Sequence, residues 1–209
     1  LNIFNGTDML IAAHCEDQET IKNNIEKYKQ KYKGADDIPV SAHPSIRSVP
    51  ACYASSELAV RLAKIAGARL HILHVSTAKE LQLFSDKPLA SKNITAEACV
   101  AHLLFTLTHY NSLGTRIKCN PAVKRKTDRE ALRAAVSSGL IDVIATDHAP
   151  HLLNEKEGGA LKAMSGMPMI QFSLVSMLEL VDEGVFSLET VVQKMCHAPA
   201  RIYGICHRG

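Results

Sequence analysis

Asp142-Val-Ile-Ala-Thr-Asp147-His148-Ala-Pro-His151 is the stretch on which the fold turns. An apolar run with two β-branched residues, Val143 and Ile144, ends abruptly in Asp147, His148 and His151. Ionisable side chains at the exit of a buried strand mark the end of an α/β barrel where chemistry is done, the carboxyl end of its parallel strands. Two upstream stretches repeat the event: Met9-Leu-Ile-Ala-Ala-His14-Cys-Glu-Asp17 and Leu70-His-Ile-Leu-His74-Val-Ser-Thr77. Three apolar strands that each run into a metal-competent residue are far more specific than one.

Around these stretches strands and helices alternate, which calls for a parallel sheet with helices packed on it. Strands are expected at about 9–14, 69–75, 115–119 and 142–146, with 93–98 as a strand extension. A helix over about 18–33 takes Asp17 as its N-cap, and an amphipathic helix over about 52–65 is stopped by Gly67. Ser76 and Thr77 cap a short helix through Phe84, and a further short segment lies near 100–107. Asp128 starts a helix that ends at Gly139, and the tail is helical at about 170–182 and 188–196. The Pro-rich stretch 34–50 reads as loop. No linker or repeat divides residues 1–209, which read as one segment. Four strand–helix units are half of what a (β/α)8 barrel needs. Standing alone they leave an open sheet with two unpaired edges. The expected class is therefore α/β, a partial TIM-like barrel, its other half expected upstream.

Composition narrows the function. At 209 residues, 46% of them apolar, the chain can bury a core. The net charge is +3, and the run Lys27-Tyr-Lys-Gln-Lys-Tyr-Lys33 reads as the solvated face of a helix, not a nucleic-acid surface. No apolar stretch approaches the ~18 residues that span a bilayer. The start, Leu1-Asn-Ile-Phe-Asn-Gly-Thr-Asp8, lacks the basic and apolar regions of a signal peptide and has no initiator Met. The six cysteines show no paired spacing and read as reduced thiols of a cytoplasmic protein.

His14, His74 and Asp147 are the candidate metal ligands. His71 and His74 are three apart, so in an extended strand they point to opposite faces. His74, last on its strand, is assigned to the interior, and His71 to the helix-packed side. Two neutral imidazoles and a carboxylate suit Zn²⁺. Such a metal makes bound water hydroxide near neutral pH, and an adjacent carboxylate can carry the proton to a leaving nitrogen. Blander roles are expected elsewhere. His148 is structural or supports the site, His43 and His109 lie on the surface, and Glu57 and Arg61 form an exposed helical ion pair. Cys15 and Cys119 are packing residues without a basic partner.

His14-Cys-Glu-Asp17, His74-Val-Ser-Thr77, Asn93-Ile-Thr-Ala-Glu97 with His102-Leu-Leu, Asn120-Pro121 and Ala145-Thr-Asp-His-Ala-Pro-His151 occur in an order and at intervals that resemble the dihydroorotases of the amidohydrolase superfamily. The likeness runs from about residue 9 to His197-Ala-Pro-Ala-Arg201. It implies a barrel with a binuclear zinc site. His14 would be the ligand of strand 5, His74 that of strand 6, and Asp147 the strand 8 ligand and catalytic acid/base. Asn120, His151, Ser165 and Gly166 would contact substrate, on and beneath a loop over 155–168. The implied reaction is reversible hydrolysis of dihydroorotate to N-carbamoyl-aspartate in pyrimidine biosynthesis. The implied partner is that small molecule, with a homodimer and an association with aspartate transcarbamoylase also allowed.

The departures bear on completeness. The His-x-His motif and Arg of strand 1, and the Lys or Asp of strand 4 that shapes the metal pair, are not in this chain. Val100-Ala101 stands where Pro-His is common, and Lys124 where Arg is common. The chain thus reads as strands 5 to 8 of a longer enzyme, inactive by itself. Hydantoinase and allantoinase share the His…His…Asp pattern and are the rival enzymes. A catalytically dead scaffold is the rival of another class, weakened by the presence of every ligand this span should hold.

Overall fold

Four short apolar runs form one parallel sheet in this computed structural model, which describes residues 7–208. Residues 1–6, part of the amino-terminal stretch read above for a leader, and residue 209 lie outside the described residues. β1 (Ile11–Ala13), β2 (Leu70–Ile72), β3 (Ile94–Cys99) and β4 (Val143–Ala145) lie side by side in chain order. Ile11 pairs with Leu70, Leu70 with Ile94, and Glu97 with Val143. The helices are α1 (Gln18–Lys31), α2 (His43–Ile46), α3 (Val49–Ala66), α4 (Val100–Leu104), α5 (Tyr110–Leu113), α6 (Lys126–Ser138), α7 (Ile170–Asp182), α8 (Leu188–Val192) and α9 (Ala198–Ile202).

Local chemistry sets the helix ends. The Asp17 carboxylate accepts the Thr20 N–H at 2.8 Å and opens α1. Ser48 caps α3, Pro50 sits in its first turn, and Gly67 closes it with a left-handed φ of 63°. The Thr77 hydroxyl accepts the Glu80 N–H and donates to the Glu80 carboxylate, which starts the short turn over Lys79–Leu83.

Alternation along the strands sorts the two faces of the sheet. Leu70, Ile72, Ala96, Ala98 and Ile144 join a buried cluster with Val60 and Ala63 of α3, Leu132 and Val136 of α6, and Met177 and Leu180 of α7. The opposite face carries Ala12, His71, Thr95, Glu97 and Val143, and α9 packs against its lower end through Ala198 and Ile202 on Val143. α7 turns Ile170, Phe172, Leu174 and Val175 to solvent. No helix among the described residues is long and apolar enough to cross a membrane. All six cysteines are free.

The alternating parallel architecture is the expected one, with four corrections. The third strand is 94–99, not 115–119; the latter region is a 3-10 turn, Gly114–Ile117, running into Lys118. Ile94–Cys99 wins because it is buried along its length and pairs on both sides, whereas the chain at 115–119 runs into Asn120-Pro121, where proline cannot donate to a ladder. Stretch 34–50 is not only loop: it holds a turn at Val40–Ala42, then α2 and the start of α3. His43 is not a surface residue but 2% exposed, and His109 is half-buried, its Nδ1 accepting the Thr106 N–H. His71 does not face α3, α6 and α7. It lies on the opposite face, bonded to Thr95 and Glu97.

Candidate functional site

β1, β2 and β4 end at Ala13, Ile72 and Ala145, and His14, His74 and Asp147 follow within two residues. All three therefore stand at the carboxyl edge of the sheet. Asp147 and His74 have φ of 44° and 38°, a left-handed conformation rare outside glycine. This bend explains the misplaced His71. The parity rule assumes extended chain, and the chain leaves the strand after Ile72. Glu97 then meets both histidines: one oxygen lies 3.1 Å from His71 Nε2, and the other accepts the His74 N–H at 3.3 Å.

His14 Nδ1 and His74 Nε2 lie 2.8 Å apart, with the rings edge to face. Only one of the two nitrogens can carry a proton in such a bond, so the other offers a lone pair to the same point. Burial and the neighbouring His14 push His74 below the usual imidazole range, against the pull of Asp147, Glu97 and Glu16. On its far side His14 Nε2 lies 3.3 Å from Glu16 Oε2, which also receives Arg47. Burial opposes charge on Glu16, yet the His14 ring, Arg47 and Lys124 together hold its carboxyl below the usual range. A carboxylate behind an imidazole is how a metal-ligating ring is commonly oriented.

The histidine pair fits a divalent metal: two imidazole nitrogens aim at one point, backed by a buried carboxylate. Asp147 is solvent-exposed and makes no ion pair with either ring among the described residues, although its charge is felt by His74. No cluster of three or more His, Cys, Asp or Glu side chains poised for a metal is present among the described residues. Of the expected ligands, His14 and His74 converge, and Asp147 acts on His74 through its charge.

Two of the expected substrate residues, Asn120 and Ser165, line a cavity of about 360 Å³ together with Arg47, Lys118 and Met164. Asn120 Oδ1 is buried without a partner. His151 Nε2 donates to the Ser165 carbonyl at 3.2 Å. Gly166 has φ of 147°, and a Cβ there would meet the Ala149 carbonyl at 2.5 Å, so the turn against the exit of β4 admits only glycine. Lys156, 6% exposed, donates to the carbonyls of Lys118, Met164 and Gly166 and ties down the loop that carries Ser165. Burial lowers its pKa to about 8. His148 Nδ1 accepts the Ile170 N–H, a structural role. Cys15 and Cys119 are buried, and burial pushes both thiols up, to about 11 and about 12.

Sequence reading overlooked Glu16, Arg47 and Lys156 as contributors. Glu16, two residues after His14, and Glu97, a carboxylate within an apolar strand, had a visible signal. Arg47 and Lys156 had none, because their partners lie far along the chain.

The model of the amidohydrolase family matches residues 4–209. The chain belongs to the amidohydrolase family. This amidohydrolase is 34% identical over 202 residues to the dihydroorotase of Endomicrobium trichonymphae, covering 95% of the chain and 46% of that relative. It is 31% identical over 207 residues to the dihydroorotase of Geobacter sulfurreducens, covering 98% and 47%. Among solved structures it resembles the L-hydantoinase of Arthrobacter aurescens with a TM-score of 0.87 and 28% identity, covering 96% of the chain and 44% of that enzyme. The dihydropyrimidinase of Brevibacillus agri gives a TM-score of 0.86 at 21% identity, a likeness of fold alone. The amidohydrolase chain spans a little under half the length of these curated relatives.

Proposed function

We propose that this chain supplies strands 5 to 8 of a barrel that, when complete, is a dihydroorotase of the cytosolic pyrimidine pathway. The observation that carries the reading is the convergence of His14 Nδ1 and His74 Nε2 at 2.8 Å, at the carboxyl edge of the sheet. The dihydroorotase relatives supply the substrate class. The apolar side chains that α7 exposes fit a second half-barrel packed against it.

His14, His74 and Asp147 would hold zinc, which when bound lowers the pKa of water and polarises the amide carbonyl. Glu16 keeps the His14 ring in place through Nε2 and leaves Nδ1 for the metal. Asp147 is open to solvent, and as a carboxylate it takes a proton from the attacking water and returns it to the ring nitrogen as the amide opens. Asn120 offers a donor and an acceptor to the ring amide. His151 would turn its Nε2–H from the Ser165 carbonyl to the carboxylate on the substrate ring.

The test is steady-state kinetics on the barrel-complete protein with dihydroorotate and with dihydrouracil, which lacks the ring carboxylate. His151→Ala is expected to lower kcat/KM for dihydroorotate by roughly five- to a hundred-and-fiftyfold, the range for a lost hydrogen bond to a charged group, at unchanged zinc content. Turnover of dihydrouracil should hardly change. Equal losses on both substrates would remove His151 from the substrate site. The likeness to the L-hydantoinase favours a second reading, hydantoinase-type activity. Preference of the wild-type protein for dihydrouracil would establish it.

A further inference from the structure

We propose that His43 and His102 are positioning residues that clamp the chain on either side of Asn120 and so set its amide toward the substrate. The proposal rests on the assignment of Asn120 to substrate binding. Cys119-Asn120-Pro121 belongs to no strand or helix, so no backbone ladder orients it. Two imidazoles do so instead. His43 Nε2 lies 2.9 Å from the Cys119 carbonyl oxygen, and His102 Nε2 lies 2.9 Å from the Pro121 carbonyl oxygen. A carbonyl only accepts, so both rings carry their proton on Nε2. One ring opens α2 and the other sits in α4, and they are 2% and 3% exposed. The clamp is thus made by two distant segments converging from within the core.

The chemistry of the rings shows what they are for. Each Nδ1 is buried with no hydrogen-bond partner. An apolar side chain of similar size would fill the same space without burying an unpaired acceptor. What imidazole adds is the Nε2–H aimed at a carbonyl. Both rings stay neutral at physiological pH. Burial, helped by Lys118, Arg47 and Lys124 near His43 and by Lys124 and His74 near His102, pushes each down to about 3. The Lys118 carbonyl is held in turn by the Gly166 N–H and by Lys156. Carbonyls at 118, 119 and 121 are therefore all engaged, while the Asn120 Oδ1 between them is buried without a partner. A segment so anchored presents that amide at low conformational cost when a ligand arrives.

The experiment compares His43→Leu and His102→Leu with His43→Gln and His102→Gln in the barrel-complete protein, since the Gln amide nitrogen reaches about as far as Nε2. Leu is expected to raise KM for dihydroorotate about tenfold, the equivalent of one lost hydrogen bond, with kcat changed less than about twofold. Gln should restore KM to within threefold or so of wild type. In an Asn120→Ala background neither Leu variant should raise KM further, because the clamp acts through Asn120. If a Leu variant does not fold, the Asn variant, whose shorter amide cannot reach the carbonyl, replaces it with the same expectation. Leu and Gln variants that behave alike overturn the clamp. So does a Leu effect that persists in full beside an Asn120→Ala change that itself raises KM. Asn120→Ala with an unchanged KM overturns the substrate role of Asn120 and the clamp with it.

Discussion

Asp142 and Asp147 flank the same short strand, β4, yet the first is 4% exposed and paired with Lys92 at 2.7 Å, while the second is open to solvent and makes no ion pair among the described residues. At the amino end Lys92 also donates to the Gly139 carbonyl, and the other Asp142 oxygen accepts the Ala96 N–H, which joins β3 to the entry of β4. The cluster of Val143, Ala198 and Ile202 seals that end. At the carboxyl end two imidazoles share one proton and nearly half of the His14 side chain is exposed. One residue type thus serves architecture below the strand and is left free for chemistry above it, the division of labour of parallel α/β barrels.

The sharpest way to break this comparison is to neutralise each aspartate's end in turn. Asp147→Asn keeps size but removes a base and a charged ligand. Its expected cost in the barrel-complete protein is at least ~10³ in kcat for dihydroorotate, since acid–base transfer alone supplies 10²–10⁴-fold. The unfolding midpoint should not move. Activity within tenfold of wild type would mean that Asp147 carries no proton.

Lys92→Met should do the reverse. It keeps the aliphatic stem but leaves the Asp142 carboxylate buried without its cation, a loss of about 3 kcal/mol of stability. Urea unfolding measures it, and kcat of the folded fraction should be unchanged. A loss under about 1 kcal/mol would show that the apolar cluster, not the ion pair, seals the amino end.

Acid offers the mildest probe, and it acts through the buried histidines above the sheet. His43 and His102 have pKa values near 3 in the folded chain against 6.5 as the ordinary value. The unfolded chain therefore takes up protons that the folded chain refuses. The stabilisation is complete above pH 6.5 and is lost as pH falls from there toward 3. For the pair the loss between pH 7.5 and 5.5 is about 3 kcal/mol. Urea midpoints across that range would show it, and the double Gln variant should flatten the slope. A wild-type profile as flat as that of the double variant would mean that these rings are not held neutral by the fold.

The sequence made the exits of β1, β2 and β4 legible because an apolar run that stops at a histidine or an aspartate is a local signal. β3 was harder to read. Its apolar pattern is interrupted by Thr95 and Glu97, polar groups that only the neighbouring His71 explains. His74 meets His14, but the inference that His71 faces the helices fails because a left-handed residue after Ile72 cancels the alternation of a strand. The buried setting of His43 was not legible, since its partner is a carbonyl 76 positions away. Long-range polar pairs leave no periodic trace in a sequence.

The positive φ at His74 and Asp147 has an engineering consequence. At those two positions a side chain strains the backbone by about 1 kcal/mol that glycine would not incur. A campaign that ranks variants by heat resistance alone would therefore enrich glycine at the very positions on which the proposed chemistry depends. Libraries built on this scaffold should hold both residues fixed and seek robustness on the exposed polar face of α1 instead.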